Sequence, residues 1–271
     1  SSGDELVYFR NYVNNGYATE GITFFLTADI NMTRISAMTT EQTWIPIGNS
    51  DKTPFKGIFD GQGYLLADNY IIAGSTQGLF GYVDGQEAEI KNVAATGIIT
   101  ARDDTGGIVG YLVNGSVINC WFAGEINASD RVGSIVGKAD AGSIINCVSF
   151  KEVTAKSKAG GIVGATSSAV NVKYCYYPAN AKSGCGDNSA TQTAVVSFTN
   201  SSEGFKLDRS VTVGSASGIM LLNVLNHWVT YLATNDSFRF WKYDSSAAGI
   251  ARIQGDHPTQ LFPGDGSGVK R

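Results

Sequence analysis

The chain has 271 residues and a formal net charge of −4, and 16% of its residues are charged while 33 are glycine. Average soluble proteins have about 25% charged residues and about 7% glycine, so this composition suits tight corners and stacked strands. Without a general basic field, nucleic acid is excluded as the expected partner. No apolar run approaches the roughly 18 residues of a membrane-spanning helix, so we expect no membrane span in this segment.

The first residues predict a short helix. The chain starts Ser-Ser-Gly without methionine, which we interpret as a trimmed or mature chain, so the missing secretory signal neither shows nor excludes export. Residues 4–16 carry apolar side chains at Leu6, Phe9 and Val13, which is the spacing of an amphipathic helix. We expect this helix to cover the open end of the fold, where the first strands would otherwise leave an unpaired edge.

Four copies of a two-part repeat occupy residues 76–177. The first part reads GLFG, GIVG, SIVG and GIVG, ending at Gly81, Gly110, Gly137 and Gly164. The second part reads IKNV, VINC, IINC and VKYC, starting at Ile90, Val117, Ile144 and Val172. Subtracting the residue numbers gives intervals of 27 to 29. A fixed period of this size indicates a solenoid, in which each repeat buries its apolar face only against its neighbours.

The repeats have the pattern of strands rather than helices. Between the two parts, apolar and polar residues alternate, as in Glu125-Ile126-Asn127-Ala128, and Gly, Asn and Ser interrupt the sequence at short intervals. A unit of about 27 residues fits one coil of a parallel β-helix, with adjacent coils about 4.8 Å apart. We therefore predict an all-β fold, a single-stranded parallel β-helix whose first coils occupy residues 22–75.

Aligning the repeats places residues of one type in columns, which we interpret as interior ladders. These columns are Val93, Cys120, Cys147 and Cys175; Ile99, Ile126 and Val153; and Ala101, Ala128 and Ala155. The column of Asn92, Asn119 and Asn146 predicts either a stacked amide ladder or a corner in the left-handed αL conformation. Three of the four cysteines therefore read as buried thiols, while a disulfide between Cys175 and Cys185 is the alternative.

The C-terminal part predicts a second cap on one continuous domain of residues 1–262. Within residues 178–262, apolar residues from 218 to 232 have helical spacing, and Phe238 to Tyr243 reads as a strand. The Gly-rich residues 263–271 are expected to form a flexible tail.

Several segments together resemble a known family. Trp44-Ile-Pro-Ile-Gly48, Phe55-Lys-Gly-Ile-Phe-Asp-Gly-Gln-Gly63 and Gly78-Leu-Phe-Gly81 resemble bacterial surface proteins with GLUG-motif repeats, and so does the preceding Leu26-Thr-Ala-Asp-Ile30. The closing region, with Leu222-Asn223, Trp241 and Pro258-Thr-Gln-Leu261, looks like the ends of such proteins from gut Bacteroidales. The resemblance covers about residues 4–262. It implies a right-handed β-helix outside the cell, in adhesin-like proteins and beside the immunoglobulin-cleaving zinc peptidases of streptococci, with no defined reaction.

The sequence lacks the usual signatures of a hydrolase. A zinc peptidase needs H-E-x-x-H, but the histidines here are His227 and His257, which we interpret as a cap-helix residue and a loop residue. No G-x-S-x-G elbow is present either. We therefore predict no enzyme activity, no metal site and no cofactor.

The strongest candidates for an enzyme site are charged residues at one corner of the repeat. This corner contains Arg102, Asp103, Asp104, Asp130 and Arg131. Clustered carboxylates at a groove are what a polysaccharide lyase or a glycoside hydrolase requires, although a solvated loop face gives the same pattern. Asp60 lies in a Phe-Asp-Gly turn, where it caps its own backbone, so we interpret it as structural.

Aromatic residues supply the candidates for a binding surface. Alternation directs Trp121 away from Cys120 and hence outward, and Tyr176 has the same place in a later repeat, with Tyr111 elsewhere. Outward aromatic rings bind sugars or protein partners, although cover by a neighbouring loop is equally compatible.

These observations favour a non-enzymatic module of the cell surface, outer-membrane-anchored or secreted. We expect it to act as a monomer in adhesion or in recognition of an extracellular glycan or of a host or bacterial surface protein. The alternatives are a carbohydrate-active enzyme working in a groove and a structural spacer.

Overall fold

The structure is a computed structural model that describes residues 2–34, 43–72, 74–187, 189–201, 204–233, 237–243 and 251–253. The predicted tail, His257 and residues 258–261 lie outside these ranges. Within the described ranges, neither helix reaches the length and apolar character that crossing a bilayer demands.

The fold is the predicted all-β parallel β-helix, with a helix near each end. The helices are α1 (Gly3–Asn14) and α2 (Leu221–Tyr231), and a 3-10 turn spans Met32–Arg34. The strands of the first coils are β1 (Thr23–Phe25), β2 (Ile30–Asn31), β3 (Ile58–Asp60), β4 (Leu65–Ile72), β5 (Phe80–Lys91) and β6 (Ala94–Thr100).

The regular repeats and the C-terminal part supply the remaining strands. They are β7 (Asp103–Gly106), β8 (Val109–Ile118), β9 (Trp121–Phe122), β10 (Glu125–Ala128), β11 (Asp130–Gly133), β12 (Val136–Ala139), β13 (Gly142–Ile145), β14 (Val148–Ser149), β15 (Val153–Ala155), β16 (Ala159–Gly160), β17 (Val163–Thr166), β18 (Val170–Lys173), β19 (Tyr176–Pro178), β20 (Thr191–Thr193), β21 (Val196–Ser201), β22 (Gly204–Val213), β23 (Ala216–Met220), β24 (Trp241–Tyr243) and β25 (Ala251–Ile253).

Three sheets form the sides of the coil. Sheet A contains β1, β3, β5, β8, β12, β13, β17, β18 and β20; sheet B contains β2, β4, β6, β9, β10, β14, β15, β19 and β21 to β23; sheet C contains β7, β11 and β16. Strands of successive coils pair in parallel, one repeat apart, so that Ile99 pairs with Ile126 and Ile126 with Val153. The three residues are buried, which confirms the predicted inward column.

The Asn corner combines both predicted roles. Asn92, Asn119 and Asn146 have φ values of 52°, 56° and 53°. Their side chains also form an amide ladder, in which Asn119 Nδ2 donates to Asn92 Oδ1 at 2.8 Å and Asn146 Nδ2 donates to Asn119 Oδ1 at 2.8 Å. The ladder starts at the buried carboxylate of Asp60, which accepts from Asn92 Nδ2 at 2.9 Å and from the backbone N–H of Gln62 at 2.9 Å. Asp60 therefore has the structural role that the turn pattern predicts.

Helix α1 packs against the first coils and extends their core. Ser2 and Glu5 form a capping box at its start, with Ser2 Oγ accepting from the Glu5 N–H at 3.2 Å. Leu6 and Val13 join the main core, and the Phe9 ring lies 4.4 Å from that of Phe24. This is the capping position that the amphipathic pattern predicts.

The C-terminal part covers one side of the β-helix. After β21 pairs in parallel with β19, β22 and β23 turn back as antiparallel strands, and α2 packs on them. A second hydrophobic core results, separate from the interior one, between these elements and the outer side of sheet B.

An extended segment, residues 237–241, then crosses the Asn ladder, and we call it the strap. Asn92 Nδ2 donates to the carbonyl oxygen of Ser237, Asn119 Nδ2 donates to that of Arg239, and the indole Nε1 of Trp241 donates to Asn119 Oδ1 at 2.6 Å. The backbone N–H of Arg239 donates to Asn92 Oδ1 at 3.1 Å. The side-chain amides thus bind the strap as the backbone of a neighbouring strand would.

All four cysteines are free and buried. Cys120 Sγ lies 3.6 Å from the carbonyl oxygen of Ile90, and Cys147 Sγ lies 3.5 Å from that of Val117, so the thiols donate to the preceding coil. Burial raises the pKa of Cys120, and it raises the pKa of Cys185 to about 12. The structure thus has the predicted buried thiols, and Cys175 and Cys185 are not bonded.

The inward column predicts a sharp contrast between neighbouring residues. Ile126→Asp places an unpaired charge among apolar side chains and should lower the free energy of unfolding by more than about 4 kcal/mol. Asn127→Asp, on the exposed face of the same strand, should change it by less than about 0.5 kcal/mol. Chemical denaturation followed by circular dichroism measures both values, and equal effects would contradict the assignment of faces.

The thiols give a second prediction. Because the thiolate is the reactive form and burial disfavours it, the native protein at pH 8 should not react with Ellman's reagent, whereas the protein in guanidinium chloride should show four thiols. Two thiols per unfolded chain would instead indicate the disulfide between Cys175 and Cys185.

Candidate functional site

The charged corner is a ladder of ion pairs. Asp104, Arg131 and Lys158 occupy one position in successive coils, with φ values of 51°, 52° and 45°. The guanidinium of Arg131 bonds the carboxylates of both Asp104 and Asp130, and Lys158 Nζ lies 3.9 Å from a carboxylate oxygen of Asp187. The hydrogen bonds that Arg131 donates to Asp104 raise the pKa of Arg131 despite partial burial, and the charge of Asp130 adds to the effect.

The other two residues predicted at this corner add no catalytic arrangement. Asp103 pairs in register with Asp130 and accepts a hydrogen bond from Ser75 Oγ at 3.4 Å. Arg102 is exposed, and its backbone bonds Gly74 and Ser129. Because Asp104 and Asp130 share one arginine, neither is a free carboxylate of the kind that acid and base catalysis requires.

Trp121 and Tyr176 do not form a contact surface, which corrects the prediction. Both point away from the interior core, as alternation requires, but the C-terminal elements cover them, and Trp121 is only 1% exposed. The ring of Phe150 meets that of Trp121 edge-on at 5.8 Å. Burial raises the pKa of Tyr176, as expected for a phenol removed from water.

A signal for this cover is present in the sequence. The outward column runs through Ala94, Trp121, Val148, Tyr176 and Val196, whose residues pair in register. An outward column that is apolar at every coil requires cover, since exposed columns carry polar residues. Reading Trp121 and Tyr176 as isolated aromatic residues missed this continuity.

Tyr111 remains at the surface of sheet A. It pairs in register with Tyr82 and Lys138, and the two tyrosine rings lie 5.7 Å apart. Lys138 Nζ donates to the Tyr111 hydroxyl at 2.7 Å, and that hydroxyl donates to Asp140. Burial and the hydrogen bond to Asp140 raise the pKa of Tyr111. Its hydroxyl is thus held by two neighbours, and only the half-exposed ring is available to a ligand.

The structure adds a site that the sequence analysis missed, an open groove of about 460 Å³ on the outer face of sheet B. It lies where the strands bend. A bulge between Leu66 and Asn69 bends β4, and Asp68 has a φ of 60° there. In the next two coils Gly97 and Gly124 occupy the bend. A Cβ on Gly124 would lie 2.2 Å from the carbonyl oxygen of Gly97, so the close approach of the coils requires glycine.

The walls of the groove combine apolar surface with unused polar groups. Tyr70, Ile98 and Glu125 stand in one outward column, and Lys151 lies one coil beyond Gly124. Ile98 is 50% exposed. Among the described residues, the side chains of Glu125 and Lys151 make no hydrogen bond or ion pair.

The acidic end of the groove is partly held in place. Asp68 accepts a hydrogen bond from Asn31 Nδ2 at 3.3 Å, and its own N–H donates to Thr96 Oγ1 at 3.0 Å. Asn69 beneath it is buried, and its amide has no hydrogen-bond partner in the described part of the chain. The two glycines, 27 residues apart, were the available signal for the groove, but glycines also mark ordinary corners.

No group of three or more metal-binding side chains comes together within the described ranges. The residues that line the groove offer side-chain hydrogen bonds and apolar contact, which suit binding of a small or extended polar ligand.

The cover of Trp121 yields a third prediction: removing this ring should destabilise the protein, whereas removing an exposed ring should not. Trp121→Ala removes a buried ring from the second core and should lower the free energy of unfolding by about 3 to 5 kcal/mol. Tyr8→Ala, at an aromatic residue that is 74% exposed, should change it by less than about 0.5 kcal/mol. Thermal and urea unfolding measure the difference, and a Trp121 variant as stable as the Tyr8 variant would contradict the cover.

Comparison with known proteins supports the fold. No family model matches the chain. No curated protein sequence matches it either. Among solved structures it is similar to a Bacteroides ovatus protein described as a putative immunoglobulin A1 protease, with a TM-score of 0.56 and 16% sequence identity. The similarity covers 94% of this chain and 91% of that one. At this identity the likeness establishes a shared β-helix fold.

Proposed function

We propose that the protein is a non-enzymatic recognition module of the cell surface, in which a rigid β-helix presents the groove on sheet B to an extracellular glycan. The observation that carries this proposal is the groove itself, where Glu125 and Lys151 have unused hydrogen-bonding capacity beside the exposed Ile98. Carbohydrate sites combine such polar groups with apolar surface, because a sugar ring has hydroxyl edges and apolar faces.

The resemblance to GLUG-repeat surface proteins supports the proposed location, and the similar Bacteroides ovatus structure is compatible with it. We extend the proposal to a monomer that is anchored at the outer membrane or secreted. The continuous hydrogen-bonded ladders of the coil suit this role, since a preformed groove loses little conformational entropy on binding.

A carbohydrate-active enzyme is the alternative that the groove itself raises. Asp68 and Glu125 both line it and lie two coils apart, so two strand spacings separate their backbones by at least about 10 Å, and long side chains can reduce the separation of the carboxylates. Pairs of carboxylates at about 5 to 9.5 Å perform glycoside hydrolysis. The charged corner supports it less, because Asp104 and Asp130 bind Arg131 and Asp103 accepts from Ser75 Oγ. The experiment must therefore measure cleavage as well as binding.

A glycan array read together with a reducing-sugar assay on the same ligands tests the proposal. We expect binding without products. Release of reducing ends would favour the enzyme, and a complete absence of binding would contradict the module and favour a spacer.

A matched pair of variants places the binding in the groove. Ile98→Arg puts a long charged side chain into the groove and should weaken binding by at least tenfold. Thr100→Arg makes a comparable change two residues further along the same exposed face of β6, outside the groove, and should leave binding unchanged. Equal affinities of the two variants would show that the glycan binds outside the groove.

A further inference from the structure

We propose that the groove selects neutral sugars over sugars that carry a carboxylate, such as uronic and sialic acids. In this proposal Tyr70 and Ile98 contact the apolar face of the sugar ring, while Glu125 and Lys151 bond its hydroxyls. The inference rests on the proposed function, because it names the ligand class of the same groove.

The apolar contact comes from two adjacent positions of one outward column. Tyr70 and Ile98 pair in register on neighbouring strands, and they are half-buried and 50% exposed, respectively. Adjacent parallel strands lie about 4.8 Å apart, so the two side chains form one continuous apolar strip. C–H groups of a sugar ring pack on such a strip.

The hydrogen-bonding groups match hydroxyls better than charges. A hydroxyl both donates and accepts, whereas a carboxylate only accepts and an ammonium only donates. Glu125 accepts and Lys151 donates from neighbouring coils, so adjacent hydroxyls of one sugar satisfy both.

The charge balance disfavours an acidic ligand. Among the described residues that line the groove, Asp68 and Glu125 carry negative charge and Lys151 alone carries positive charge. Glu152 continues the column of Glu125 one coil further, where its carboxylate accepts from Asn180 Nδ2 at 3.0 Å. A carboxylated sugar would face more negative than positive charge, and like charges brought into proximity reduce affinity.

Titration calorimetry with three probes tests the selectivity: a neutral mannan- or galactan-derived oligosaccharide, an oligogalacturonate and sialyllactose. We expect the wild-type protein to bind a neutral probe at least tenfold more tightly than either acidic one. Tyr70→Ala should weaken neutral binding by at least tenfold. Ile98→Ser, a change at a more exposed side chain, should weaken it by at least threefold. This variant tests the apolar contact if Tyr70→Ala does not fold.

The charge argument has its own pair of variants. Glu125→Lys should improve oligogalacturonate binding by at least fivefold relative to the neutral probe, whereas Glu87→Lys, an identical change of charge at an exposed position outside the groove, should not. Measurements in low and physiological salt should show the Glu125 effect decreasing as salt screens it.

The outcomes separate this inference from the proposed function. Preferential binding of an acidic probe by the wild type, or equal effects of Glu125→Lys and Glu87→Lys, would overturn the neutral selectivity while leaving a glycan-binding module. Failure to bind any glycan would overturn both.

Discussion

The Asn ladder is the interaction on which the rest of the structure depends. Each asparagine of the ladder has the left-handed backbone conformation that most residues avoid. The hydrogen bonds of the side-chain amides, along the stack and to the strap, offset the free-energy cost of this conformation. The single side chain of Asn119 forms hydrogen bonds with Asn92 and Asn146 in the neighbouring coils and with Trp241 in the strap. The same corner therefore bonds successive coils to one another and fixes the C-terminal part against them. The second core, which buries Trp121 and Tyr176, forms on the adjacent side of sheet B.

The architecture could be predicted from the sequence because its constraints repeat. The 27-residue period, the inward column of Ile126 and the Asn column each follow from stacking one coil on the next, so every repeat provides the same information. The capping helix could also be predicted, because the spacing of Leu6, Phe9 and Val13 lies within one short stretch of sequence. The cover of Trp121 was harder, because it comes from residues about 100 positions later in the chain, and only the apolar character of the whole outward column indicated it.

The candidate site could be predicted from the sequence only in part. Arg131 and its two aspartates look like a catalytic cluster when read as single residues, but stacking brings opposite charges together, and an ion pair needs no ligand to explain it. The groove depends on a bulge in β4 and on two glycines, and a bulge is a one-residue mismatch between neighbouring coils that no single repeat reveals. The groove therefore combines a departure from the period, the bulge in β4, with two glycines that keep it.

The glycine bend under the groove has a consequence for how such a protein can diversify. Because Gly97 and Gly124 hold equivalent places in successive coils, duplication of one whole coil would lengthen the groove floor by about 4.8 Å and leave every inward column in register. Substitutions in the outward column could then alter each added position independently, since the neighbouring glycines already provide the required backbone. Length and selectivity of the groove are thus separable traits, one set by the number of coils and the other by the side chains that line it.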